Sequence, residues 1–238
     1  MEAETIEQQV RHLVGALGQP RGFDEVVVVV DPFEGPFPRQ HGTGDLRALR
    51  RRLQGLVADG LVDRIVEGPT DGTEVRHLAT RWFGQVATSA HAKNGQAVFA
   101  MLKGLESCTG ELVLHADADV MIGRPDVHVD HIADAACLFE EVSSAVTLAL
   151  PVLGDREGPP RFMDDRGPFR VDTQVGWLHR GRLDALRPLP NEVEGGQLEL
   201  PWHRSLDRVV RAGRACSLRR GSAGLLQIGQ LLDQPTGG

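Results

Sequence analysis

Apolar residues recur three and four apart over 5–17 (Ile6, Val10, Leu13, Val14 and Leu17), the spacing of one helix face. Gly18, Pro20 and Gly22 stop that helix. The five valines at 26–30 are apolar on both faces and predict a central strand of a covered sheet. Asp31 and Pro32 end it, and a loop rich in glycine and proline follows as far as Gly44. Asp45 is placed to cap a helix through Ala58, with Leu46, Leu49, Leu53, Leu56 and Val57 inward and Arg47, Arg50 and Arg51 outward. Those arginines read as a solvated face or as a contact for an anionic partner. A second strand is expected over 62–67, then the turn GPTDGT at 68–73, a helix over 74–83 and a short third strand at 86–88. A helix over 95–108 carries Ala97, Met101, Leu102 and Leu105 on one side, and the next strand spans 111–116. This repeated strand–helix–strand order predicts an α/β fold, a mixed, mostly parallel sheet flanked by helices in a single domain.

The character changes after Val120. A helix is expected over 130–142, a strand over 145–150, and a loop dense in Gly, Pro, Asp and Arg over 151–172. A strand at 175–179, a short helix at 182–187, a helix from Pro201 through Ala212 and a strand at 214–218 follow. From Gly221 the tail has no clear periodicity.

The chain has 238 residues, 41% hydrophobic and 25% charged, an ordinary globular composition. A net charge of −7 speaks against a nucleic-acid partner held by a general basic field. Only Lys93 and Lys103 are lysines, and there is no tyrosine. Cys108, Cys137 and Cys216 are odd in number and scattered, which fits a reducing cytoplasm rather than a disulfide framework or zinc site. The acidic, polar N-terminus does not read as a signal peptide, and the longest apolar stretches are too short to span a bilayer. The expectation is a cytoplasmic protein, with peripheral membrane contact left open.

The candidate chemistry concentrates at 110–120, GELVLHADADV, where an apolar strand runs into Asp117-Ala118-Asp119. Side chains alternate along extended chain, so Asp117 and Asp119 point the same way if the strand geometry persists. Two adjacent carboxylates repel unless a cation or protons neutralise them. At the carboxyl end of a strand, where open α/β sheets bind ligands, such a pair suits a hard divalent ion that also holds phosphate. A solvated Asp-rich turn is the alternative.

Taken in order, the weak signals reinforce one another. A strand ends near Asp31, a second runs into GPTDGT, Lys93-Asn94-Gly95-Gln96-Ala97 opens a helix, and Gly110-Glu111 precedes a strand and Asp117-Ala118-Asp119. This order and spacing resembles the family 2 glycosyltransferases of the GT-A fold, in the nucleotide-diphospho-sugar transferase superfamily. Members often show a G-S-T-D-G-T turn, a K-x-x-A-like helix start and G-E-strand-D-x-D. The likeness covers roughly 24–123 well and 170–218 loosely. It implies a nucleotide-sugar-binding half at 23–123 and an acceptor-binding and catalytic half at 124–220, which the periodicity flanks with an N-terminal helix at 1–22 and an irregular tail at 221–238.

The activity implied is a metal-dependent, inverting transfer (hexosyltransferase type) from a nucleoside-diphosphate sugar to an acceptor hydroxyl of unknown identity. Mn²⁺ or Mg²⁺ would be held by Asp117 and Asp119, with Asp119 the more direct ligand and Asp117 nearer the ribose. Glu67 falls where the family carries an acid that contacts the base, or is a strand-end surface glutamate. Asp31 lies near the expected nucleotide, or caps the turn before Pro32. Lys93, at an expected helix N-terminus where the dipole does not favour cations, suits a phosphate or nucleotide contact. Asp71 and Thr73 read as turn former and helix N-cap.

The likeness thins in the second half. The family commonly has an acidic pair at a late helix start, about a dozen residues before R-x-x-x-G, one acid serving as general base. Here the comparable stretch is Leu200-Pro201-Trp202-His203-Arg204, and the carboxylates at hand are Glu199, Glu194 and, further off, Asp172. His203 reads as a third metal ligand, an acid/base group, or a helix-start histidine packed beside Trp202. Trp202 and Trp177 suit a sugar face or the core. His115 reads as a satisfied, half-buried histidine. The loop at 151–172, with Arg156, Arg161, Asp164, Asp165 and Arg166, is the candidate acceptor-side lid.

Two rivals stand beside this reading. A sugar-phosphate nucleotidyltransferase would use a similar sheet, but its loop after the first strand is usually Gly-rich and basic, and DPFEGPFPRQHGTG offers only Arg39 and His41. A catalytically degenerate glycosyltransferase-like scaffold fits the missing acid. A phosphate-accepting receiver domain fits poorly, because the acid pair follows the fourth expected strand.

Overall fold

The computed structural model describes residues 3–16, 22–33, 45–117, 130–150, 163–164, 167–168, 171, 175–220 and 226–228. Among these are the helices α1 (Ala3–Ala16), α2 (Leu46–Ala58), α3 (Gly72–Phe83), α4 (Phe99–Ser107), α5 (His131–Glu141), α6 (Arg180–Ala185) and α7 (Trp202–Arg211). The strands are β1 (Val27–Val30), β2 (Arg64–Glu67), β3 (Leu112–Ala116), β4 (Ala145–Ala149), β5 (Met163–Asp164), β6 (Gly167–Pro168), β7 (Val175–His179), β8 (Val193–Glu194), β9 (Gln197–Leu198), β10 (Cys216–Arg220) and β11 (Leu226–Ile228). No helix among the described residues is long and apolar enough to cross a membrane.

The largest sheet runs in the order β11-β10-β4-β7-β3. Strand β7 is antiparallel to both β3 and β4, whereas β10 is parallel to β4 and β11 antiparallel to β10. The fold is therefore mixed α/β, and the expectation of a mostly parallel sheet fails at β7 and β11. Strands β1 and β2 form a parallel pair, with Val27 opposite Arg64 and Val30 opposite Glu67. Among the described residues β1 pairs only with β2, so its place as a central strand is not borne out. Val29 is 36% exposed.

Both faces of the larger sheet are covered; alternation parts Leu178 from Trp177 in β7, and a register shift at the start of β4 parts Val146 from Leu148. Val146 and Leu178 pack with Val75, Trp82, Phe99, Leu102, Leu206 and Val209, from α3, α4 and α7. Their neighbours Leu148 and Trp177 pack with Ala135 and Phe139 of α5, together with Leu112 and Leu114. A separate cluster joins Ile6 and Val10 of α1 to Leu53 and Leu56 of α2 and to Val30.

Several local devices match the sequence. Asp45 caps α2 through the N–H groups of Arg47 and Ala48, and Asp130 caps α5. Asp71 caps α3 by accepting from Thr73, so Asp71 rather than Thr73 is the cap. Val57 is 37% exposed rather than inward. Residues 86–88 form no strand; the N–H groups of Thr88 and Ser89 donate to the carbonyl of Gly196 instead. The expected helix over 95–108 begins only at Phe99. Gly95 has φ +82°, a left-handed conformation that no right-handed helix contains, and Lys93 to Gln96 form a turn closed by a His91–Ala97 bridge. Within the tail, β11 is a regular strand edge rather than irregular chain.

Three segments are tied together at their amino ends. Glu25 accepts from the N–H groups of Thr109 and Gly110, from the Thr109 hydroxyl at 2.9 Å and from Arg64 at 2.5 Å. Arg64 also donates to the carbonyl of Ser107, and Arg180 donates to those of Gly110 and Thr109. The starts of β1, β2 and β3 thereby meet the end of β7.

Candidate functional site

The acid that ends β3 is exposed and has a histidine beside it. Strand alternation puts Val113, His115 and Asp117 on one side, and Val113 packs against the cluster that contains α7. Nε2 of His115 lies 3.2 Å from Oδ1 of Asp117. His203, the second residue of α7, lies near enough for its ring to sense the charges of both Asp117 and His115. Burial, chiefly, and the charge of Arg204 push the His203 ring down to about 4, against the opposing pull of Asp117. The ring is neutral at pH 7 and keeps one nitrogen lone pair for a proton or a metal.

Asp119 lies outside the described residues, as does Asp172. Among the described residues no three His, Cys, Asp or Glu side chains converge at metal-holding geometry. His115 and Asp117 are the pair in contact there, and the neutral His203 ring is linked to them through their charges; carboxylate and imidazole are donor types that a divalent ion accepts.

A cleft of about 410 Å³ opens at the carboxyl ends of β1 and β2, beside the first turn of α3. Pro32, Phe33, Pro69, Thr70, Thr88 and Ser89 contribute its walls. Of the residues expected to bind nucleotide, Asp31 stands nearest. Its Oδ2 lies 2.6 Å from Nε2 of His91, and its Oδ1 accepts from the N–H of Phe33. Glu67 is engaged elsewhere: both of its oxygens take up Arg50 at 2.6 Å, and that guanidinium holds the carboxyl below its usual range.

Lys93 sits in the turn before α4, not at a helix N-terminus, so the dipole argument does not apply to it. Its ammonium pairs with Glu194 and its N–H donates to the carbonyl of Leu198. Glu194 and Lys93 therefore fasten the 88–98 segment to the β8–β9 hairpin. Gly195 and Gly196 turn that hairpin with φ of +59° and +81°, as a two-residue loop between twisted strands requires. Past it, Pro201 leads into α7 and His203. Contacts thus join Asp31 to His91, and Lys93 to the hairpin that precedes α7.

Glu194 and Glu199 are exposed, their side chains 76% and 44% accessible, and Glu199 stands 3.9 Å from Arg208. Trp177 and Trp202 are buried in the two cores and present no sugar-facing surface. The candidate lid at 151–172 lies outside the described residues, except for the β5–β6 pairing and Val171, whose N–H donates to the buried Asp207. Sequence reasoning passed over Phe33, His91 and the cleft hydroxyls. The Gly195-Gly196 pair between two short apolar-polar segments was a legible hairpin signal; nothing local marks His91 as buried. No family model, curated protein or solved structure matches the chain.

Proposed function

We propose that the chain is a metal-dependent glycosyltransferase of GT-A type that moves a sugar from a nucleoside-diphosphate sugar to an acceptor hydroxyl, with inversion. The observation that carries this reading is that Asp117, just past β3, lies within electrostatic reach of His203 in the first turn of α7. The two are distant in sequence. The cleft beyond the ends of β1 and β2 supports it as a place for the nucleoside, with Pro32, Phe33, Pro69, Thr70, Thr88 and Ser89 in its lining.

Asp117, Asp119 and His203 would hold Mn²⁺ or Mg²⁺. When bound, the ion supplies positive charge opposite the diphosphate leaving group. The chain's own contribution is positional. Lys93 and Glu194 fix the segment between cleft and acid pair, and burial keeps the His203 ring neutral. The base that deprotonates the acceptor comes from Glu194, Glu199 or His203. A second reading, a binding module that has lost its base, is favoured by one observation: both glutamates are exposed and face cations.

Incubation with Mn²⁺ and a panel of UDP-, GDP- and dTDP-sugars tests the proposal through slow hydrolysis of the donor. Hydrolysis of one donor that stops when the metal is chelated is the expected result. Donor binding without hydrolysis or transfer would favour the scaffold, and no interaction with any donor would end the proposal. Among Glu194→Gln, Glu199→Gln and His203→Ala, at least one is expected to lower transfer by about 10²-fold or more.

A further inference from the structure

Behind the mouth of the cleft lies a titratable pair that the reaction above does not use. His91 is 2% exposed, and its Nε2 lies 2.6 Å from Oδ2 of Asp31. Its ring stacks on Phe33, with centroids 3.8 Å apart and planes inclined by 29°. The second carboxylate oxygen of Asp31 accepts from the backbone N–H of Phe33 at 3.2 Å. Phe33 is therefore held at its backbone by Asp31 and on one ring face by His91, while the residue stays 40% exposed at the cleft.

The histidine is itself fixed. Its N–H donates to Oγ of Ser89, whose hydroxyl donates to the His91 carbonyl, and the backbone bridges Ala97. Nδ1 of His91 is buried and has no hydrogen-bond partner among the described residues. A purely structural position would be filled at less cost by an apolar ring. What imidazole adds here is a flat face together with an Nε2 that reaches Asp31.

We infer that Asp31 and His91 are a positioning pair: Asp31 orients His91, and the two set the ring of Phe33 as a wall of the cleft without touching the ligand themselves. Both oxygens of Asp31 are engaged within the protein, which leaves the exposed ring to meet the ligand. The ligand chemistry that suits such a wall is a flat, uncharged ring, the nucleobase end of a nucleoside diphosphate. The inference rests on the assignment of the cleft to the nucleoside.

Two measurements test it. In the first, Phe33→Trp places an indole at the wall, seen against the buried Trp82, Trp177 and Trp202. Adding Asp31→Asn or His91→Gln is expected to lower the steady-state anisotropy of that indole and shift its emission to the red. Unchanged emission and anisotropy would overturn the inference, whatever the protein binds. In the second, UDP, GDP and Mn²⁺-pyrophosphate are titrated into the wild type and into Asp31→Asn, His91→Gln and His91→Phe. Nucleoside diphosphate affinity is expected to fall about tenfold in the first two variants and less in His91→Phe, which keeps a flat ring. Pyrophosphate affinity is expected to stay unchanged.

A loss in Asp31→Asn without one in His91→Gln would make Asp31 a direct ligand and overturn the pair. Parallel loss of pyrophosphate would reduce the pair to a structural role and overturn it equally. A wild type that binds Mn²⁺-pyrophosphate but gains nothing from the nucleoside would overturn the inference and spare the metal site. If neither probe binds, the proposed function fails, and the anisotropy alone decides the pair.

Discussion

The His203 ring in the first turn of α7 has a measurable proton affinity. Burial drives it from the ordinary 6.5 to about 4, so a metal-free NMR titration should place its midpoint near 4. The sign for stability follows from linkage. The unfolded ring takes up its proton near 6.5 and the folded ring only near 4, so unfolding binds protons in between, and stability falls as pH drops from 6.5 to 4. His203→Gln should flatten that part of the pH–stability curve, and a curve unchanged by the substitution would contradict the assignment. At this scale the strand that leads to Asp117 was legible, because Leu and Val between Glu111 and Asp117 are a local pattern, whereas Asp119 lies outside the described residues. The surroundings of Lys93 were not legible, because the φ of Gly95 decides between helix and turn. The burial of His91 was also hidden, since it depends on Asp31 and Phe33, about 60 residues away.

Among the elements, the clamp on Glu25 joins strands whose pairing the sequence does not show. Burial disfavours the Glu25 carboxylate, but donation from Thr109, Gly110 and Arg64 outweighs it and holds the group at about 2. Its stabilisation is present in full above the unfolded carboxyl's range and is lost as pH falls from about 4.5 to about 2. Glu25→Gln should cost about 2 kcal/mol in urea unfolding at pH 7, a difference that shrinks toward pH 2. In β7, a Cβ at Gly176 would come within 2.8 Å of the Leu148 carbonyl oxygen and 3.2 Å of the Ala149 Cα. Both are sheet backbone that cannot yield, so Gly176→Ala should cost about 1–3 kcal/mol by the same measurement. Most helices were legible from their apolar spacing and their Asp caps. The strand at 86–88 and the irregular tail were misread, because short extended chain takes its identity from partners, Gly196 for the first and β10 for the second.

Over the whole molecule, two helical layers cover a mixed sheet, and β3 delivers an acid to the face that α7 crosses. The repeated strand–helix–strand order made a helix-covered sheet legible. Strand direction was not, because the reversal at β7 is set by how the chain returns from β4 through residues largely outside those described. With a net charge of −7, the chain has no general attraction for a diphosphate, so the proposed function assigns anion binding to a cation held at the acid pair. Calorimetric titration of a nucleoside-diphosphate sugar, with and without Mn²⁺, into the wild type and Asp117→Ala tests that claim most directly. Binding that requires Mn²⁺ and disappears in a folded Asp117→Ala is the predicted result; binding of equal strength without metal, or retained in Asp117→Ala, would contradict it.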